Sequence, residues 1–181
     1  MLMSGRYRQS MRIRRWLTAA VMVIACAGTD RSPARIVLER LPCFGWCPTY
    51  RVVIHADGRV EYEGVGYLQT LGADSGEVAS QLHNVRREHA QISRQSAALV
   101  LRKFDQAWSS WLPNRFGLGW RACPDPATDN PTLLIVRERG ARRDTMEVYY
   151  GCPLVPARID HLGTYIDSVA GVERWLGVPH F

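Results

Sequence analysis

Ala56-Asp57-Gly58 stands between two runs of alternating side chains, Tyr50-Arg51-Val52-Val53-Ile54-His55 and Arg59-Val60-Glu61-Tyr62-Glu63-Gly64. Asp-Gly between β-rich runs is a strong hairpin signal, because glycine accepts the positive φ that a tight turn requires. An antiparallel pair is therefore built into the first half of the fold. Period two sorts its faces: Val60 and Tyr62 point one way, Arg59, Glu61 and Glu63 the other.

The rest of the chain extends that beginning. Residues 35–40 (RIVLER) read as a first strand and 86–92 (RREHAQI) as another. Residues 132–138 (TLLIVRE) and 144–150 (DTMEVYY) form a second hairpin across Arg139-Gly140-Ala141-Arg142-Arg143. Ser93 is a good N-cap for a helix over 94–110, with Ala97, Leu101, Phe104, Trp108 and Trp111 along one apolar stripe. Pro153 and Pro156 open a second helix whose Ile159, Leu162, Ile166, Val169 and Ala170 again follow helical spacing, and a last turn near 172–176 lets Trp175 close the core. Residues 73–84 form an excursion with a helical turn around 77–82. The expected class is α+β, a mainly antiparallel sheet of about five to six strands packed against two helices. It occupies residues 35–181 as one domain, without internal repeats.

Residues 11–26 (MRIRRWLTAAVMVIAC) bear on address. Three arginines, ten uncharged residues from Trp16 to Ala25 and a cysteine after Val23-Ile24-Ala25 have the layout of a secretory signal. The apolar run is too short to cross ~30 Å of hydrocarbon. Cys26 resembles the bacterial lipobox cysteine, which receives lipid and becomes the mature N-terminus. A twin-arginine signal at Arg14-Arg15 fits its surroundings poorly. Met11 serves equally well as a start, since residues 1–10 add nothing that a signal needs. Residues 27–34 (AGTDRSPA) then form a short polar tether. Ala27 lacks the aspartate linked to inner-membrane retention, which favours the outer membrane. The expectation is an exported protein of the bacterial envelope, held through lipid on Cys26 and facing the periplasm.

The formal charge of +6 invites a nucleic-acid reading until its location is considered. Five of the 23 basic residues precede Cys26 and no acidic residue does, which leaves 18 basic against 17 acidic, or +1. The mature chain thus has no general attraction to phosphate backbones, and no nucleic-acid partner is expected.

Four cysteines follow Cys26: Cys43, Cys47, Cys123 and Cys152. An even number in an oxidising compartment implies two disulfides, with three connectivities open. The second hairpin brings Cys152 to where the segment carrying Cys123 arrives, so Cys123–Cys152 is expected, leaving Cys43 with Cys47. A zinc site lacks paired short-spaced knuckles, and a thioredoxin-like couple would need one residue fewer between Cys43 and Cys47 at a helix start. No metal or cofactor is expected.

Leu41-Pro42-Cys43-Phe44-Gly45-Trp46-Cys47-Pro48-Thr49-Tyr50 stands before Asp57-Gly58, Val60, Tyr62-Glu63-Gly64, Thr128-Asp129-Asn130-Pro131-Thr132, Tyr150-Gly151 and Ile166-Asp167. This set resembles the bacterial family catalogued as domain of unknown function 6438, over roughly residues 35–176, with the Pro-Cys-Phe-Gly-x-Cys-Pro-x-Tyr run as its specific part. The resemblance implies an exported protein or lipoprotein and assigns no catalytic residue. The 73–84 excursion, Cys123 and Cys152 depart from the family's usual pattern.

The functional expectation is a non-enzymatic binding or assembly domain for an envelope partner, since no paired motif for nucleophile, metal or phosphate occurs in the mature chain. Phe44, Trp46, Tyr50 and Asp129 are the candidate binding residues. Two enzymatic alternatives stand beside it. One is an exported hydrolase assembled from distant groups, with Asp129, Glu61, Glu63, His55 and His161 as its polar candidates. The other is thiol redox chemistry at Cys43 and Cys47. Asp74-Ser75-Gly76 lacks the glycine-flanked elbow of a serine hydrolase.

Overall fold

A computed structural model describes residues 33–69, 76, 84–109, 113–121 and 123–176. The signal segment with Cys26, most of the tether, Trp111 and most of the 73–84 excursion lie outside the described residues. Seven strands form one sheet: β1 Arg35–Arg40, β2 Trp46–His55, β3 Arg59–Gln69, β4 Arg86–Gln91, β5 Arg115–Phe116, β6 Thr132–Arg139 and β7 Arg142–Tyr149. Their spatial order is β4-β3-β2-β1-β6-β7-β5. Three helices are described, α1 Arg94–Ala107, α2 Ala157–Ala170 and the short α3 Glu173–Leu176.

The class is α+β with a mostly antiparallel sheet, but the expected five to six strands and two helices are too few. Strand β5 is two residues long, too short to display a period, and it pairs parallel to β7 through Arg115 with Glu147 and Phe116 with Val148. Helix α3 is a single turn that sequence spacing reads only as a closing turn.

Alternation places Ile36 and Leu38, Tyr50, Val52 and Ile54, Val60 and Tyr62, Leu133 and Ile135, and Met146 and Val148 on one face of the sheet, against both long helices. Helix α1 begins as its N-cap suggests, with the Ser96 amide donating to Ser93 Oγ at 3.0 Å. It ends at Ala107, three residues early, because Trp108 turns to an extended conformation. Its buried stripe is Ala97, Val100, Phe104 and Ala107. The stripe is thus centred one residue before Leu101, which is only partly buried with Trp108.

Helix α2 crosses the strands near one end of the sheet instead of running beside them. A Cβ on Gly163 would stand 2.7 Å from Leu133 of β6, Asp167 bonds to β1 and β2, and the carbonyl oxygen of Leu176 lies against Gly66 of β3. Gly66, at φ 73°, lies in the irregularity where β3 passes from pairing Gly64 with Tyr50 to pairing Gly66 with Thr49. Only glycine gives both that dihedral and the close approach of Leu176.

The opposite face is covered by its own charges. Val37, Val53 and Val136 form a direct cross-strand row and are almost fully buried. Beside them run Arg87–Glu63 at 2.7 Å, Arg51–Glu39 at 3.1 Å and Arg35–Glu138 at 2.6 Å, whose aliphatic stems shelter the valines.

One charged cluster lies on the core side. Arg137 continues the Leu133–Ile135 phase, lies 4.9 Å from the Phe104 ring, and pairs with Asp144 at 2.6 Å and with Asp105. Burial opposes the charge on Asp144, but hydrogen bonds from Arg137 and Arg142 outweigh it and hold its carboxyl below the ordinary carboxylate range. A depressed folded pKa contributes stability that is complete above the unfolded value near ~3.9 and is lost as pH falls through the folded one. Asp144→Ala should lower unfolding free energy by about 1–3 kcal/mol at neutral pH, since it takes from Arg137 its buried partner and leaves it the more exposed Asp105 alone. Urea titrations at neutral and acid pH should show the deficit shrinking in acid; an equal deficit at both would refute this account.

Candidate functional site

The sheet's two ends differ in what they expose. β1 leaves at Arg40, β2 and β4 begin, β3 and β7 end, and β6 begins at the same end, which β5 reaches beside β7. Every exposed large hydrophobic side chain among the described residues lies there: Leu41, Phe44, Trp46, Val85, Leu118, Trp120 and Leu154. Phe44 is 56% exposed and Leu154 73%. The other end, with the Asp57-Gly58 turn, the β6–β7 turn and the start of α1, exposes none of this kind.

A set of short ties shapes the apolar end. Cys43 is joined to Cys47, with Cα atoms 5.7 Å apart, and the loop between them turns at Gly45, whose φ is 145°. An added Cβ there would meet nothing nearer than Cys43 Sγ at 3.9 Å, so conformation and not space selects glycine. Leu41 N–H donates to the Thr132 carbonyl at 2.9 Å, and Phe44 N–H to the Asp129 carbonyl at 3.2 Å. Both bonds bind this loop to the turn before β6.

In that turn Asp129 adopts φ 66°, a region that aspartate tolerates. Asn130 Nδ2 donates to the Thr128 carbonyl at 2.8 Å, and the Tyr149 hydroxyl donates to Ala127 at 2.8 Å. A Cβ at Gly151 would stand 2.1 Å from the Ala127 carbonyl, so this glycine is required by close approach. Cys123 is joined to Cys152 with Cα atoms 5.0 Å apart, which fastens the 117–123 segment to the end of β7. Trp120 is held by the Arg115 guanidinium at 5.2 Å from its ring.

Beneath the disulfide loop lies a polar lock. Arg40 Nη2 meets Asp167 Oδ2 at 2.6 Å, Arg40 Nε donates to the Tyr50 hydroxyl at 2.8 Å, and that hydroxyl donates to Asp167 Oδ1 at 2.7 Å. Burial and the Asp167 charge push the Tyr50 hydroxyl far above its ordinary pKa. Burial works against the charge on Arg40, but Asp167 and Tyr50 outweigh it and raise its pKa. The Tyr50 ring stacks on Tyr62 at 5.6 Å, and Tyr62 packs on Trp175 at 5.0 Å. Burial raises the Tyr62 hydroxyl to about 12, and this hydroxyl has no hydrogen-bond partner among the described residues. A cleft of about 330 Å³ opens beside the lock, walled by Pro48, Thr164, Ser168 and Leu176.

Phe44 and Trp46 thus stand on the surface and Asp129 is exposed beside them, whereas Tyr50 is buried under the loop and supports it. The polar candidates gather only in part, with Glu61 beside both His55 and Glu63 on the hairpin and the others apart from them. His55 Nε2 and Glu61 Oε1 meet at 2.9 Å at the far end of the sheet, where Glu61 also accepts from Arg59 and His55 Nδ1 lies 3.4 Å from the same arginine. Glu63 pairs with Arg87, and His161 lies on the exposed side of α2 beside Lys103 and Arg158. Asp129 belongs to the apolar end. Among the described residues no group of three or more His, Cys, Asp or Glu side chains is arranged to hold a metal.

Much of the distinctive sequence pattern, scattered along the chain, converges here, namely the 41–50 run, 128–132, Tyr150-Gly151 and Asp167, whereas Asp57-Gly58 forms the turn at the opposite end. The sequence profile described as Domain of unknown function (DUF6438) matches residues 34–170. The chain belongs to that family. Among curated proteins none matches it. Within the DUF6438 domain, Arg40 was not singled out from sequence, although a signal existed: it continues the Ile36–Leu38 phase and so places an arginine on the core face. Leu118, Trp120 and Leu154 carry no such signal, because solvent exposure at a sheet end depends on strand order.

The two disulfides should differ in stability. Bridging 29 positions, Cys123–Cys152 removes more unfolded-state freedom than Cys43–Cys47, which bridges four. Cys123→Ala with Cys152→Ala should cost about 3–4 kcal/mol, and Cys43→Ala with Cys47→Ala about 2 or less. Denaturant midpoints of the two double variants decide the order. Tyr50→Phe should cost about 1–3 kcal/mol by leaving Arg40 and Asp167 each short of a bond.

Proposed function

We propose that this chain is an exported lipoprotein of the bacterial cell envelope, anchored through lipid on Cys26 and facing the periplasm, in the outer membrane by preference. In this reading its DUF6438 domain is a non-enzymatic module that binds or assembles with an envelope protein through the apolar end of the sheet. The observation that carries it is the gathering of the exposed large hydrophobic side chains at one end, most of them on or beside the segments that two disulfides tie. Clustered exposed apolar groups gain free energy when a partner covers them, and anchors of this type on rigid loops lose little entropy in the process. The signal-like layout of residues 11–26 and the even cysteine count support the compartment.

The hydrolase alternative has one observation in its favour, the contact between His55 and Glu61. Against it, both ring nitrogens face partners within the hairpin, and Asp129 stands at the other end of the sheet. Thiol redox chemistry at Cys43 and Cys47 is disfavoured by the burial of Cys47 within β2.

Two measurements test the proposal. The intact mass of protein taken from bacterial membranes should equal the chain from Cys26 plus acyl groups, with no thiol open to alkylation until reduction; an unprocessed chain with freely alkylated cysteines would sink it. A photocrosslinking side chain at Phe44 should capture a discrete envelope protein in cells, while the same group at Gln95 should not. Phe44→Ser with Trp120→Ser should abolish competition for that partner and shift Tm by little, as both side chains are exposed.

A further inference from the structure

We infer that the end of the sheet where β1 begins is a docking surface for anionic phospholipid headgroups, setting the domain upright on its membrane with the apolar end outward. The inference rests on the lipoprotein reading above. The tether of residues 27–34 enters β1 at this end, opposite the apolar one. Eight residues span at most about 28 Å. A lipid on Cys26 therefore holds this end close to the headgroups.

The charges at that end are not balanced internally. Its acidic groups are all engaged: Asp57 and Glu61 by Arg59, Glu138 by Arg35, and Asp144 by Arg137 and Arg142. Three further arginines, Arg94, Arg139 and Arg143, are exposed and have no ion pair among the described residues. The surplus is local, because the chain after Cys26 is nearly neutral.

Folding stability does not account for two of these positions, Arg94 and Arg139, whereas Arg143 stands opposite Glu138 in the β6–β7 register. Arg94 opens α1, where the helix dipole disfavours a cation. Arg139 stands directly opposite Arg142 in the β6–β7 register, where like charges repel. Positive charge at places where the fold itself disfavours it calls for an external anion.

The test uses the membrane-extracted protein reconstituted in vesicles of phosphatidylethanolamine alone or mixed with phosphatidylglycerol, with phenylglyoxal as arginine probe and peptide masses as readout. Arg94, Arg139 and Arg143 should react several-fold more slowly with phosphatidylglycerol present, and high salt should remove the protection. Arg87 and Arg115, toward the apolar end, should react alike in both. Equal reactivity of the three arginines in both vesicles, on protein whose mass shows acylation, would overturn the docking surface. If the mass shows no acyl group, the lipoprotein reading fails separately, and cosedimentation of the chain with the same vesicles decides the inference. Binding that needs phosphatidylglycerol and falls about a hundredfold in R94S/R139S/R143S, at about fivefold per arginine, supports it. Absent binding, or binding the triple variant retains, overturns it.

Discussion

The bond network of Arg40, Tyr50 and Asp167 is what the arrangement of this fold depends on. Tyr50 and Arg40 come from neighbouring strands and Asp167 from a helix that crosses them, so three elements distant in sequence are fixed at one point. Each group is largely withdrawn from water, and removing any one leaves a charge or a donor without its partner. Because α2 is pinned there, α3 reaches Gly66 and Trp175 reaches Tyr62. The disulfide loop lies directly above, so its shape is inherited from the lock below.

The sheet then separates two kinds of work. Its helix-covered face carries the apolar core, with one ion-paired exception at Arg137 and Asp144. Its other face shields a narrow row of valines with alternating arginines and glutamates, a cover that is soluble and paired within itself. Exposed apolar surface is therefore left to one end of the strands, where loops meet and where neither constraint operates.

Much of this was legible in the chain. The Asp57-Gly58 turn, the alternation on either side of it and the Ser93 cap are local signals, and the elements formed where those signals stood. Local chemistry also brought Cys152 toward Cys123. What was not legible depends on long-range pairing. Arg35 meets Glu138 across a sequence separation of 103 residues, and only that placement of β1 between β2 and β6 brings the 41–46 loop beside Asp129. Strand β5 exists only because β7 offers it an edge, and the crossing direction of α2 follows from Asp167 finding Arg40. The exposure of Phe44 beside a buried Tyr50 likewise reflects which side of a sheet end each reaches, which residue type alone does not decide.

The connectivity of the disulfides has a consequence for biogenesis. Cys43 bonds to Cys47 and Cys123 to Cys152, so the order of pairing follows the order of the chain. Under the export proposed above, a polypeptide threaded N-terminus first into an oxidising compartment presents these thiols in that same sequence. An oxidant that joins each new thiol to the previous free one produces the native pattern directly. In that setting the pairing order asks for an oxidant and not for reshuffling of bonds.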